Sequence, residues 1–282
     1  MAGQDVSFAV ASYRYLRLSI VVVLVALLAS VVFERFQVDC WHGSLSAYYY
    51  TPVQPIFVGA LMAIGVSFVA IKGSSETEDL SLNIAGVVAP IVAVVPTSPP
   101  SAQTDCSSAA IQQPDQLAFI DNNVTSLIVA GAAAIVIGWL ASRRSDSSGT
   151  GLDRSALLGV GFALVMMAIG LGWYTIGRNS FLERAHGVAA VVLFLALFGA
   201  IVVSAFAAGQ PYRAWYTGTA AAMVSVAIVV VIAGLLVDEW RHQILVLETF
   251  ELIPVGVFWA AQTVEYWDGD RRIEREAQHS LG

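Results

Sequence analysis

The chain has 282 residues, of which 57% are hydrophobic and 12% charged, and its net charge is −7. A soluble domain carries about 25% charged residues, so this composition excludes an ordinary soluble fold. The 14 basic residues are scattered over many loops and form no stripe, which argues against a nucleic-acid partner.

Apolar stretches recur at 16–33, 53–71, 80–95, 123–141, 155–174, 186–207, 215–237 and 244–264. A span needs roughly 20 mainly apolar residues to cross about 30 Å of hydrocarbon. The sequence therefore predicts an all-α, polytopic integral membrane bundle of eight helices, a single transmembrane domain over 1–282. The first stretch follows Arg14 and Arg17, as a signal peptide would. The FERFQVDCW after it has no small-x-small cleavage site, so it reads as a retained helix.

Between the first two spans, the 34–52 loop carries Trp41 and the run Tyr48–Tyr49–Tyr50. Such rings suit either a headgroup belt or the wall of a lipid or small-molecule pocket. The third span, SLNIAGVVAPIVAVVPTSPP, is short and holds Pro90, which has no amide donor. It reads either as a full kinked span or as a re-entrant element. Asn83 within it reads as a hydrogen bond to another helix. The 96–122 loop reads as an irregular cap, with Asp121–Asn122–Asn123 accepting from the free amides of the fourth helix. Arg143 and Arg144, in the next loop, read as topological anchors. Gly218 and Ala222 form a small-xxx-small pair suited to close helix packing.

With the N-terminus in the cytoplasm, ten basic residues fall inside: Arg14, Arg17, Lys72, Arg143, Arg144, Arg154, Arg213, Arg271, Arg272 and Arg275. Four fall outside: Arg35, Arg178, Arg184 and Arg241. The positive-inside tendency then places both termini in the cytoplasm. Cys40 and Cys106 share the outer side in this topology, where an oxidising medium permits a disulfide between them. The alternative is two separate thiols.

Polar groups that would carry function gather toward the outer side. His42, His186 and His242 share that predicted face, and three imidazoles with nearby carboxylates would suit zinc. Asp39 or Glu239 would then orient a ligand or activate water. The bland alternative is interfacial histidines, and the spacing matches no compact zinc motif. His279 lies in the tail. Glu251 is an ionisable residue inside the last span, three residues before Pro254, and such groups face a bundle interior or water. Glu248, Glu251, Gln262 and Glu265 share a broad sector at about 100° per residue. Glu265 reads as interfacial. Arg178 and Arg184 oppose the usual charge bias, and read as partners of Glu183, Asp238 or Glu251, or of an anionic headgroup. Arg178, Arg184, Glu248, Glu251 and Gln262 are accordingly the expected lining of an outer polar cavity.

The segments SLSAYYYTPVQPIFVGALMAIGVSFVAIKG and LNIAGVVAPIVAVVPT, with ERAHGVAAVVLFLALF and WAAQTVEYW, resemble a group of uncharacterised bacterial multi-pass membrane proteins. More distantly they resemble the DUF998 and FRAG1/DRAM-like families. The resemblance implies an all-helical protein of a bacterial inner or plasma membrane. Through DUF998 it implies a distant link to membrane hydrolases of the ceramidase type. The HxxxH of those enzymes is missing here, and eight spans depart from their seven. The leading expectation is a non-enzymatic membrane protein with an outer polar cavity, binding membrane lipid or stabilising an envelope complex with a membrane-protein partner or a second copy. A zinc-dependent lipid hydrolase and a proton-coupled transporter are the alternatives.

Overall fold

The computed structural model describes residues 2–97, 106, 116–145 and 154–267, with the side chains of all but 2–10, 142, 144, 145 and 154–158. Arg271, Arg272, Arg275 and His279 lie outside the described residues, as do the side chains of Arg144 and Arg154. Among the described residues the protein is an all-helical membrane bundle without strands. Its helices are α1 (Ala2–Val38), α2 (Gln54–Ala70), α3 (Glu76–Val94), α4 (Gln116–Ser145), α5 (Arg154–Ile176), α6 (Arg178–Ala207), α7 (Tyr212–Leu236) and α8 (Gln243–Glu265). Seven are long and apolar enough to cross a membrane, and α2, apolar but 17 residues long, is the short one. At about 1.5 Å per residue α2 reaches roughly 25 Å, the lower limit for a span. The chain divides into two compact units, Met1–Gln112 with Gly187–Gly282, and Gln113–His186.

In the first unit α1 packs on α2 and α8, α2 on α3, and α7 on α8. The α2–α3 turn is short and tied by polar groups. Lys72 pairs with Asp79 at 2.5 Å, and the Gly73 amide donates to the same carboxylate at 3.1 Å. Ser75 caps α3 by accepting from the Glu78 amide. The two helices then approach closely through glycines. A Cβ on Gly65 would sit 2.9 Å from the Pro90 ring, and one on Gly86 would sit 2.8 Å from the Gly65 carbonyl. Pro90 is therefore inside a continuous helix, its ring seated on a glycine of α2, and α3 is a full-length helix. Asn83 bonds Asp79 of its own helix, not another helix, because four residues of helix bring the two side chains to one face.

At the far end of α1, Asp39 adopts a left-handed φ of 53° and pairs with Arg35 at 2.5 Å, closing the helix. Cys40 is disulfide-bonded to Cys106, with Cα atoms 5.8 Å apart. Ser46–Tyr50 form a 3-10 helix in which Tyr48, Tyr49 and Tyr50 are buried. These tyrosines are core residues and not a headgroup belt, because the 3-10 segment packs on α2 and buries them. Tyr50 donates to the Thr97 carbonyl at 2.6 Å.

In the second unit α4 packs along α5, and a one-residue turn at Gly177 separates α5 from the start of α6. Arg178 donates to both oxygens of Asp121, at 2.6 and 2.7 Å, and Tyr174 donates to the same carboxylate at 2.7 Å. Asp121 is thus no N-cap. α4 begins five residues earlier, at Gln116, so Asp121 stands within the helix and spends its oxygens on α5 and α6. Phe181 meets Trp173 and Tyr174 edge-on across that turn.

Candidate functional site

The first unit buries an unusual amount of polar chemistry near the end of α8. Glu78 is the third residue of α3, Ser204 is the fourth-last residue of α6, and Gln262 the fourth-last of α8. All three lie within about one turn of a helix end. Arg17 of α1 joins them. Relative exposures are 1% for Arg17, 1% for Glu78, and 0% for Ser204 and Gln262. The Arg17 Nη1 donates to Gln262 Oε1. Gln262 Nε2 donates to Glu78 Oε1 at 3.0 Å, and the Ser204 hydroxyl donates to the same oxygen at 3.0 Å. The other Glu78 oxygen accepts from the Ser74 amide at 2.7 Å and from its hydroxyl.

The chemistry of this bridge is specific. A guanidinium only donates and a carboxylate only accepts, so an amide can sit between them with its oxygen toward one and its nitrogen toward the other. Gln262 does so. The guanidinium is further boxed by rings, with Tyr13, Trp259 and Tyr266 centroids at 4.5, 5.1 and 5.0 Å, and its Nη2 donates to the Tyr13 hydroxyl. Cation–π attraction replaces part of the hydration that Arg17 has lost. Tyr216 of α7 extends the polar layer by donating to Glu265 at 2.5 Å. Both Tyr216 and Glu265 are buried, so Glu265 is a core residue and not an interfacial one.

Above this layer lies an apolar cleft of about 60 Å³. Ile20, Leu24 and Leu27 of α1 face Phe57, Leu61, Ile64 and Phe68 of α2 across it, with Leu193 and Leu197 of α6 and Val255 of α8. Phe68 stacks on Trp259 at 5.4 Å, linking the lower end of the cleft to the Arg17 box. Ala190, Phe194 and Leu252 are part-exposed lining residues and form its mouth. At the upper end stand Ser46 and Glu248. The Glu248 carboxylate accepts from the Leu45 amide at 2.6 Å and the Ser46 hydroxyl at 3.3 Å, fixing the 3-10 segment to α8.

The expected polar lining does not form one cavity. Gln262 and Glu248 are 14 residues apart on α8, about 21 Å along its axis. Gln262 belongs to the Arg17 layer and Glu248 to the opposite, disulfide-bearing end. Glu251 is 7% exposed and makes no hydrogen bond or ion pair among the described residues. Arg178 and Arg184 belong to the second unit, where Arg178 binds Asp121 and the exposed Arg184 lies 3.8 Å from Glu183. Neither arginine is paired with Glu251. Sequence reading took Arg17 for a surface anchor and passed over Glu78, Ser204 and Tyr216. One local cue was available, since Ser75-Glu-Thr-Glu78 has the S-x-x-E spacing that directs a third-position glutamate back over a helix start.

The histidines were expected as zinc ligands. Among the described residues no group of three His, Cys, Asp or Glu side chains is placed to hold a metal ion. His42 is 2% exposed and meets the Tyr48 ring edge-on at 4.7 Å, while His242 Nε2 lies 3.1 Å from the Trp41 carbonyl. Burial pushes the His42 imidazole below its ordinary value of 6.5 and pushes the Tyr48 and Tyr49 phenols above 10.

Two outcomes follow from this geometry. Replacing Gln262 by Leu takes one hydrogen-bond partner from the buried Arg17 guanidinium and one from the buried Glu78 carboxylate, and should cost about 1.5–3 kcal/mol. Thermal unfolding in detergent reads this directly, and an unshifted transition would show that the bridge carries no stability. Burial holds the folded His42 imidazole below its ordinary range, whereas the unfolded chain takes up its proton near 6.5. Stability should therefore hold above that value and fall as pH drops below it. Melting curves from about pH 7 to about pH 5 should show the fall in the wild type and a flatter profile in His42→Phe. Equal slopes would remove His42 as its source.

Compared with family models, curated proteins and solved structures, the chain has no match, and its functional reading rests on its own geometry.

Proposed function

We propose that the chain is a non-enzymatic integral membrane protein that binds a membrane lipid by seating an acyl chain in the cleft between α1, α2, α6 and α8. The carrying observation is a space of about 60 Å³ whose lining is apolar except for Ser46 and Glu248 at one end. Leaving such a volume empty costs about 1–2 kcal/mol in lost packing. An apolar cavity stays dry, so a hydrocarbon chain rather than water is the occupant that recovers the cost. The mouth at Ala190, Phe194 and Leu252 is formed by helices long enough to span the bilayer. Membrane lipid is the one apolar ligand always present at such a surface.

The orientation we propose has both termini in the cytoplasm. Ten of the 14 basic residues then lie inside. The disulfide-bearing end, with Cys40 and Cys106, then faces an oxidising medium. In a bacterium this is the inner or plasma membrane.

A phospholipid bearing a photoreactive group on its acyl chain should label peptides of α6 and α8 around Leu193 and Val255. Leu193→Trp, which adds about the volume the cleft lacks, should lower that labelling several-fold, while Leu193→Met should not. Labelling of α4, in the other unit, provides the annular-lipid reference and should stay constant. Even labelling across all helices, indifferent to Leu193→Trp, would defeat the acyl-chain reading. Orientation is checked by non-reducing peptide mapping of protein quenched with a thiol blocker in intact cells. A joined Cys40–Cys106 peptide is expected, and a reduced pair would reverse the topology.

A further inference from the structure

Glu251 sits eight residues into α8, about 12 Å along its axis from the disulfide-bearing end. It is 93% buried, complementing its 7% exposure, and no hydrogen bond or ion pair meets it among the described residues. The surrounding helices have no counter-charge to offer at this level. Positions 18–33 of α1, 54–70 of α2, 80–94 of α3, 187–207 of α6 and 217–236 of α7 contain no ionisable side chain. On α1 the ionisable groups bracketing that run are Arg17 and Glu34, and Arg17 is held by Gln262, 11 residues further along α8. On α3 they are Glu76, Glu78 and Asp79, all at its start, and on α6 they are Arg178, Glu183, Arg184 and His186, all before position 187. On α7 they are Tyr212, Arg213 and Tyr216, at the end that pairs with Glu265. Asp238, Glu239, Arg241 and His242 precede α8, and His42 lies beside them on the disulfide-bearing end.

The nearest ionisable residue along α8 is Glu248, one turn away, and it is of the same sign. Side chains three apart on a helix are neighbours, so two carboxylates there repel. Glu248 already has an amide and a hydroxyl donating to it. Glu251 has neither. A charge so placed is neutralised by taking up a proton, because desolvation penalises only the ionised acid. Pro254 lacks an amide and leaves the Phe250 carbonyl without its helical donor, so a hydrogen-bond acceptor is open in the same turn.

We propose that Glu251 is a proton-binding site in the membrane interior, a carboxylic acid that takes up and releases a proton within the bundle. The site is independent of the acyl-chain reading, since Glu251 does not line the cleft. It marks the protein as responsive to protons in the membrane, whatever the cleft holds.

The experiment uses the full chain in nanodiscs with dicyclohexylcarbodiimide, an apolar reagent that reacts with protonated carboxyls. The acid O–H adds across one C=N bond to give an O-acylisourea, whose acyl group shifts from oxygen to nitrogen to leave a stable N-acylurea with nothing released. Peptide mass mapping should find the adduct on Glu251, with labelling that falls as pH rises. Glu251→Asp should keep it, and Glu251→Gln should lose it while melting no lower than the wild type, since an amide replaces a neutral acid. The wild-type measurement alone decides the matter if a variant fails to fold. An unlabelled Glu251, labelling that does not change with pH, or an adduct found on Glu248 instead would each overturn the proposal.

Discussion

Gln262 is placed where a guanidinium and a carboxylate would otherwise face apolar surroundings alone. Its oxygen accepts a hydrogen bond from Arg17 and its nitrogen donates one to Glu78, which also accepts from Ser204 and Ser74. Each of these groups comes from a different part of the first unit. α1 brings Arg17, the start of α3 brings Glu78, the end of α6 brings Ser204, and α8 brings the amide. In hydrocarbon there is little hydrophobic drive between helices, because lipid tails are as apolar as leucine. Directional polar contacts and close packing must then set which helices meet, and the Gln262 bridge does this for four of them.

The rest of the unit is organised around that layer. The Arg17 box places Trp259, Trp259 carries Phe68, and Phe68 closes one end of the cleft. At the other end Glu248 holds the 3-10 segment, which packs on α2 with its tyrosines buried. Between the two polar ends the helices present aliphatic faces that do not quite fill the space. Glu251 stands beside this apolar middle without a partner among the described residues. A bundle locked at both ends and underpacked between them is mechanically suited to admit a chain from the bilayer. The locks do not have to break for the middle to yield.

Helix positions were legible from hydropathy, because crossing a membrane is a demand on each segment separately. The apolar runs anticipated all eight helices, with α1, α4 and α6 longer than their apolar cores since their ends carry polar turns. The shared compartment of Cys40 and Cys106 was legible too, and the pair is bonded. The candidate site was not. Arg17 resembles any anchoring arginine at the start of a span until the rings of α8 are seen around it. Tyr48–Tyr50 resemble a belt until the 3-10 turn folds them inward. Gln262 was noticed, but along with Glu248 and Glu251 on one helical sector, which ignored the axial distance separating them.

What the amino-acid sequence determines by itself is the transfer energetics of each segment: an all-helical membrane chain, the limits of its helices and a side preference for its charges. Only the tertiary structure decides which polar residues satisfy one another. The decisive hydrogen bonds join residues 245 and 184 positions apart in the chain. No local periodicity encodes such a partner, because the choice depends on which faces of separate helices meet, at what depth and in what rotation. That choice turned an anchoring arginine into the centre of a buried layer, and left Glu251, the most conspicuous polar residue of the last helix, without a partner among the described residues.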